Sequence, residues 1–522
     1  MRRRTVLGGA VAALAMPAVA AEQRVLRFVP QSDLAVLDPI WTTAYQTRDH
    51  AFLVFDTLFG QDAGFAASLQ MLEAAATEAA GLVWRLRLRP GLLFHDSTPV
   101  LARDCIASIK RWGARDGFGQ ALLAATDDLS ASDDRTILVR LKRPFPLLPD
   151  ALGKTAPSPC VIMPERLAAT DPYKQVSEMV GSGPYRYLPD ERVPGARVAY
   201  ARNDAYVPRT DGTPSRTAGP KRASFDRVEW LIIPDAATAS AALQKGEVDW
   251  VLAANADLLP RLRRDPKLTV RTQDPAGIIA TMRFNQLHPP FDNPAVRRAI
   301  LGAVTQSDHM EAVAGPDRTL WADGIGYFCP GTPLASTAGM DALTAPRDLA
   351  RSRRELEAAG YKGERVMLMM PTDIPSVAAL AEVTADLFRK LGLNLDAQTM
   401  DWGTAVQRRT NRETPEKGGW SVFQTSWSGL DHATPATNVF LRGNGLAAAP
   451  GWAGSPEIER LRDAWLQAPE LDQKGLADRI QQQAFRDVPY IPLGQQFQQT
   501  AFRAELKGIL PGAPVFWNID RG

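Results

Sequence analysis

Val228-Glu229-Trp230-Leu231-Ile232-Ile233, then Asp235 and an alanine-rich run to Gly246, then Val248-Asp249-Trp250-Val251: this stretch predicts a strand, a helix and a second strand. Asp235 is placed to cap the helix start, and Gly246 supplies the left-handed residue that ends it. A second stretch repeats the pattern. Val366-Met367-Leu368-Met369 leads into a helix with Val377, Leu380, Thr384, Leu387 and Leu391 on one face, and Leu393-Asn394-Leu395 follows Gly392. Units so far apart predict two α/β lobes, each with its own partly parallel sheet.

Nearer the start the period changes to two. Trp84, Leu86 and Leu88 alternate with Arg85, Arg87 and Arg89, and Ile137, Val139 and Leu141 repeat the theme before Pro144. Such strands have one wet face and are expected to pair antiparallel. A smaller subdomain is therefore expected over residues 59–180. Pro/Gly-rich passages near 207–220, 313–334 and 443–456 read as surface loops. Neither internal repeats nor low-complexity tracts interrupt the chain.

The first residues read as an export signal. Arg2, Arg3 and Arg4 precede Thr5-Val6-Leu7 and an apolar stretch that runs to Ala18-Val19-Ala20, and Arg3-Arg4-Thr5-Val6-Leu7 is similar to the twin-arginine signal. The stretch is short and broken by Pro17, whereas a membrane span needs about 20 apolar residues. The signal is expected to occupy residues 1–21 and to be removed. The chain of 522 residues exceeds the roughly 250–300 at which one core stops growing, so several domains are expected. Its apolar fraction of 45% and charged fraction of 23% are ordinary for a globular protein. Without the three signal arginines the net charge of +2 becomes about −1, which gives no reason to expect nucleic acid or an anionic membrane as partner. Cys105, Cys160 and Cys329 are odd in number and widely spaced, so at most one disulfide could form.

Motifs then accumulate in order. Leu37-Asp38-Pro39 and Phe55-Asp56-Thr57-Leu58 come first, followed by Trp84-Arg85-Leu86-Arg87-Leu88-Arg89-Pro90-Gly91-Leu92-Leu93-Phe94-His95-Asp96 and Ala102-Arg103-Asp104. Next come Gly181-Ser182-Gly183-Pro184-Tyr185, Arg202-Asn203-Asp204-Ala205-Tyr206 and Gly246-Glu247-Val248-Asp249. Phe284-Asn285, Pro290-Phe291-Asp292, Val296-Arg297-Arg298-Ala299 and Glu357-Ala358-Ala359-Gly360-Tyr361 complete the series. Together they resemble the extracellular solute-binding proteins of family 5, the receptors of ABC importers for dipeptides, oligopeptides and nickel. Ser97 stands where that family usually has glycine.

The resemblance implies an α/β, two-lobed periplasmic binding protein fold, type II-like and of cluster C, with an extra inserted subdomain. Lobe I is then expected over 22–58 with 181–268 and 492–522, the insertion over 59–180, and lobe II over 269–491. It further implies a monomeric periplasmic receptor that needs no cofactor, closes on a peptide-like or other small polar solute, and delivers it to the permease of an ABC importer.

Ligands of open α/β sheets sit beyond the carboxyl ends of strands. One such place follows the strand Val25 to Val29 and holds Trp41, Thr42, Thr43 and Tyr45; another follows a strand expected from Trp420 to Thr425 and holds Ser426, Trp427, Ser428, Gly429, Leu430, Asp431 and His432. Trp402, after Asp401, is a third. From these, the ligand-binding set is Trp41, Thr42, Tyr45, Trp402, Trp427, Ser428, Asp431 and His432, with aromatic faces for apolar contact and polar edges for orientation. Any single tryptophan also suits a core, Asp431 a turn or helix cap, and His432 the surface.

Peptide receptors of the family place an aspartate three residues after a tryptophan in this loop, to pair with the peptide's amino group. Here that position is Leu430, with Asp431 one later, and no arginine falls near Thr372 to Pro375, where dipeptide receptors hold the ligand carboxylate. A ligand other than a simple dipeptide follows: a modified or oligomeric peptide, an opine-like conjugate, or a chelated metal. A secreted hydrolase is the rival class. However, His50, His95, His288, His309 and His432 form no ligand spacing, GxSxG is absent, and Gly443-Asn444-Gly445-Leu446-Ala447-Ala448 runs into Pro450 without a strand before it. His95-Asp96 lies within the family signature and is expected to serve structure.

Overall fold

The computed structural model describes residues 24–522, so the signal expected at 1–21 lies outside the described residues. Two large sheets organise the chain. The first has seven strands in the order Tyr185–Tyr187, Arg197–Arg202, Arg227–Leu231, Val25–Val29, Trp250–Val251, Gln499–Arg503 and Leu268–Thr272. Val25–Val29 runs parallel to both neighbours. The helix Ala236–Lys245 links these neighbours, with the Asp235 carboxylate accepting from the Thr238 amide and Gly246 at φ 79°. The strands of the first unit therefore do not pair with each other but flank the chain's first strand, which inserts between them. Leu26, Phe28, Trp230, Trp250 and Phe516 fill the core on one face of this sheet.

The second sheet has six strands, Trp321–Ala322, Tyr490–Gln496, Ile278–Phe284, Val422–Ser428, Arg365–Pro371 and Asn394–Met400. Arg365–Pro371 and Asn394–Met400 pair in parallel, joined by the helix Pro375–Leu391, which ends at Gly392 with φ 78°. Val377, Leu380, Thr384 and Leu391 are buried on that helix as its spacing requires, while Leu387 is only partly so.

The insertion carries a four-stranded antiparallel sheet, Leu72–Glu78, Val83–Leu88, Thr136–Leu141 and Thr126–Asp133 in spatial order. Leu86 and Leu88 are buried and Arg85 and Arg87 exposed. The family motifs act as fasteners around it. His95 donates from Nε2 to the Gly183 carbonyl at 3.1 Å and accepts at Nδ1 from the Gly181 amide at 3.3 Å. The Asp38 carboxylate accepts from Arg111 at 2.7 and 3.1 Å and from the Val176 amide at 2.9 Å. Cys105, Cys160 and Cys329 are all buried and free.

Two segments cross between the large sheets: residues 273–277, between Leu268–Thr272 and Ile278–Phe284, and residues 497–498, between Tyr490–Gln496 and Gln499–Arg503. They run side by side, the Gln273 amide donating to the Gln498 carbonyl. The second crossing begins after Gln496 because Tyr490–Gln496 pairs with Ile278–Phe284 in the second sheet. Among the described residues no helix is long and apolar enough to cross a membrane.

Candidate solute-binding site

Val422–Ser428 extends three residues beyond the strand end expected at Thr425, because its pairing with Ile278–Phe284 continues to Ser428 opposite Ile278. Ser426, Trp427 and Ser428 are therefore strand residues, and the chain turns only at Gly429–His432, a single tight helical turn. That turn is pinned to the first crossing: the Gly429 amide donates to the Gly277 carbonyl at 2.8 Å. A Cβ on Gly429 would stand 1.9 Å from the Ala276 carbonyl oxygen and 2.6 Å from Cys329 Sγ, so only glycine fits this approach.

Tyr45 opens the helix Tyr45–Val54 of the first lobe and meets this turn across the seam between lobes. Its hydroxyl donates to Asp431 Oδ2 at 2.9 Å and accepts from the Ser428 amide at 2.6 Å. Asp431 is buried, and burial pushes its carboxyl up to about 6; the Tyr45 hydrogen bond and the charges of Arg48 and Lys154 act in the opposite direction. His432 is also buried, which excludes the alternative of a surface residue. Burial lowers it to about 4, so at neutral pH the ring is uncharged; Nδ1 lies 3.3 Å from the Ser428 carbonyl. A narrow gap of about 70 Å³ opens beside the seam, between Tyr45, Arg48, Asp274, Ser428 and Gln498.

The large cavity lies elsewhere, about 460 Å³ between the insertion and the second lobe. Gln61, Phe65, Lys154 and Thr155 form its insertion wall, while Leu430, Thr434 and Trp465 form the facing wall. The Lys154 ammonium is buried and held by Asp116. Asp150 and Glu470 also line the cavity, and burial, then the charge of Glu470, raises Asp150 to about 6.

None of the eight residues expected from sequence lines that cavity, although Leu430 and Ala433, which flank Asp431 and His432, do. Trp427 packs edge-on against Phe440 at 4.9 Å, and Trp41 lies under the Arg115 guanidinium at 5.2 Å. The Thr42 hydroxyl accepts from the Ala44 amide. Trp402 begins the helix Trp402–Arg408 and joins a cluster with Met367, Met369, Trp420 and Phe423. The cavity residues of the insertion carry no functional signal in the sequence: Gln61 ends a short strand just after the Phe55–Leu58 motif, and Lys154 and Thr155 lie in an irregular segment after the helix Leu148–Leu152. Among the described residues no cluster of three His, Cys, Asp or Glu side chains could hold a metal ion.

A model of the bacterial extracellular solute-binding proteins, family 5 middle, matches residues 67–445. The chain is 36% identical to a probable peptide ABC transporter periplasmic-binding protein, y4tO, of Sinorhizobium fredii, over 97% of this chain and 95% of that one. It is 24% identical to the glutathione-binding protein GsiB of Pectobacterium atrosepticum, again over 97% and 95%. Among solved structures, the fold is similar to that of AgaA from A. tumefacien R10, a periplasmic binding protein in complex with agropinic acid. The TM-score is 0.79 at 18% identity, covering 95% of this chain and 99% of that one. The two-lobed fold, the match across the body of the chain and the identity to y4tO agree: this chain belongs to family 5 of the bacterial extracellular solute-binding proteins, which bind their solutes without being enzymes.

Proposed function

We propose that this chain is the periplasmic receptor of an ABC importer, which takes a peptide-like solute bearing charges of both signs between its insertion and second lobe. It closes by rotation about the paired crossings and hands the solute unaltered to the membrane permease. The cavity of about 460 Å³ carries this reading, since its volume lies in the range of small-molecule sites. The Lys154 ammonium, paired with Asp116, keeps further N–H donors for a carboxylate end, and Asp150 with Glu470 offers negative charge for a cationic one.

The relatives point to the same class, being named for peptides, glutathione and agropinic acid. Leu430 at the cavity wall, with Asp431 turned to Tyr45, favours a modified or conjugated peptide over a plain dipeptide. Tyr45, Ser428, Asp431 and His432 serve as closing contacts, and Trp427 braces them. Trp41 and Thr42 suit the rim of the first lobe, touching only a larger solute, and Trp402 serves packing. Lobe I comprises residues 24–58, 181–272 and 499–522, the insertion 59–180, and lobe II 273–498. Export by the twin-arginine route and a monomeric state complete the reading.

Thermal unfolding against a panel of dipeptides, tripeptides, glutathione and opine conjugates tests it, because a solute at 100 times its Kd stabilises by about 2.7 kcal/mol. A saturable rise in Tm with the solute recovered intact sustains the proposal. Turnover of any panel member, or a flat response across all of them, overturns it.

A further inference from the structure

Arg283 lies in the middle of the second sheet, on Ile278–Phe284, and is 3% exposed. Its guanidinium lies over the Phe440 ring, 4.4 Å from the ring centre, and over the Phe423 ring, at 5.3 Å. Nη1 donates to the Pro450 carbonyl at 3.3 Å. Nε and Nη2 are buried and reach no protein acceptor among the described residues, and neither does Nε of Arg409. The charged neighbour that acts on Arg283 is Arg409, another cation. A small cavity of about 10 Å³ opens onto the guanidinium between Phe440, Pro450, Trp452 and Pro489, with Arg442 at its wall. Arg442 is already neutralised by Glu459, at 3.0 Å.

Taking a guanidinium out of water is costly unless an opposite charge comes with it. Aromatic faces recover part of that cost, but they leave the Nε and Nη2 donors unused. A water molecule would accept from those donors and leave the charge uncompensated. A monatomic anion does both, and so small a gap favours a compact guest over a polyatomic one.

We propose that Arg283 forms the wall of an internal halide site, in which a chloride-class anion accepts from Nε and Nη2 and neutralises the buried cation. The anion thereby fixes Arg283 against Phe440, and through Phe440 it steadies Trp427 on the neighbouring strand. This site is separate from the solute cavity and stands whether or not the solute assignment holds.

Two measurements on the full mature chain test it. Crystals grown in sodium gluconate and soaked in sodium bromide should show an anomalous difference peak within hydrogen-bond reach of Arg283 Nε or Nη2. In solution, exchanging gluconate for chloride at constant ionic strength should raise Tm saturably by roughly 1–3 °C, and Arg283→Met should abolish that rise. Should the variant fail to fold, the bromide experiment on the unaltered chain decides alone. A soak that places only water at Arg283, a chloride titration with no change in Tm, or a chloride effect that survives in Arg283→Met each overturns the proposal.

Discussion

The Tyr45 hydroxyl and the Asp431 carboxylate lie 2.9 Å apart although 386 residues of chain separate them, and they belong to different lobes. A hydrogen bond to a charged group contributes about 1.5–3 kcal/mol, and here that contribution exists only while the lobes are together. Tyr45→Phe should therefore shift the population toward the open form. Small-angle scattering of the solute-free protein should show a larger radius of gyration than the parent, and affinity for any solute that shifts Tm should weaken by roughly tenfold or more.

Asp431 makes stability depend on pH in a defined direction. Burial holds its carboxyl at about 6 in the folded chain, above the ordinary value of 3.8, so the folded state binds the proton more tightly than the unfolded one. The stability this confers is present in acid and lost as pH rises through about 6. Asp431→Asn carries no such proton. In urea unfolding, stability of the variant relative to the parent should increase by roughly 1–2 kcal/mol between pH 5 and pH 7.5; a difference that stays constant, or shrinks, contradicts the assignment.

Arg111 and Asp38 form a pair with almost no exposure, 2% and 0% for their side chains. Removing one partner strands the other charge in the interior, at a cost of about 3–5 kcal/mol. Arg111→Met should lower the urea midpoint accordingly with little change in the solute affinity of the molecules that remain folded.

Gly429 is a steric requirement and not a matter of flexibility, since the obstacles to a Cβ there are the Ala276 carbonyl and Cys329 Sγ. Gly429→Ala should push the 429–432 turn off the first crossing, breaking the amide bond to Gly277. Calorimetry should show a Tm several degrees lower, and solute binding should weaken more than in Arg111→Met.

The parts of the fold legible in the sequence are those governed by short-range physics. Asp235 and Gly246 cap a helix as their chemistry requires, and the alternation from Trp84 to Leu88 sorts itself into buried and exposed faces. Strand ends were less legible, because Ser428 and Gln496 are both held in place by Ile278, far away in the chain. None of the eight residues expected from sequence lines the cavity, although Leu430 and Ala433, beside Asp431 and His432, do. The 429–432 turn follows a strand, as the strand-end rule asks, and carries Leu430 to the cavity, whereas Lys154 and Thr155 reach it through the docking of the insertion, which no local pattern encodes. Trp402 satisfies the strand-end rule equally well, yet its ring was drawn to Phe423, 5.8 Å away.

The first sheet contains its own timetable. Among the described residues Leu268–Thr272 has a single neighbour, Gln499–Arg503, which also borders Trp250–Val251. As the chain is made from its amino end, the lobe begun by Val25–Val29 must leave a slot in its interior until Gln499–Arg503 arrives. Assembly order thus reverses synthesis order: the lobe started first is sealed last, and a product that stops short of residue 499 keeps a bare edge where that strand belongs.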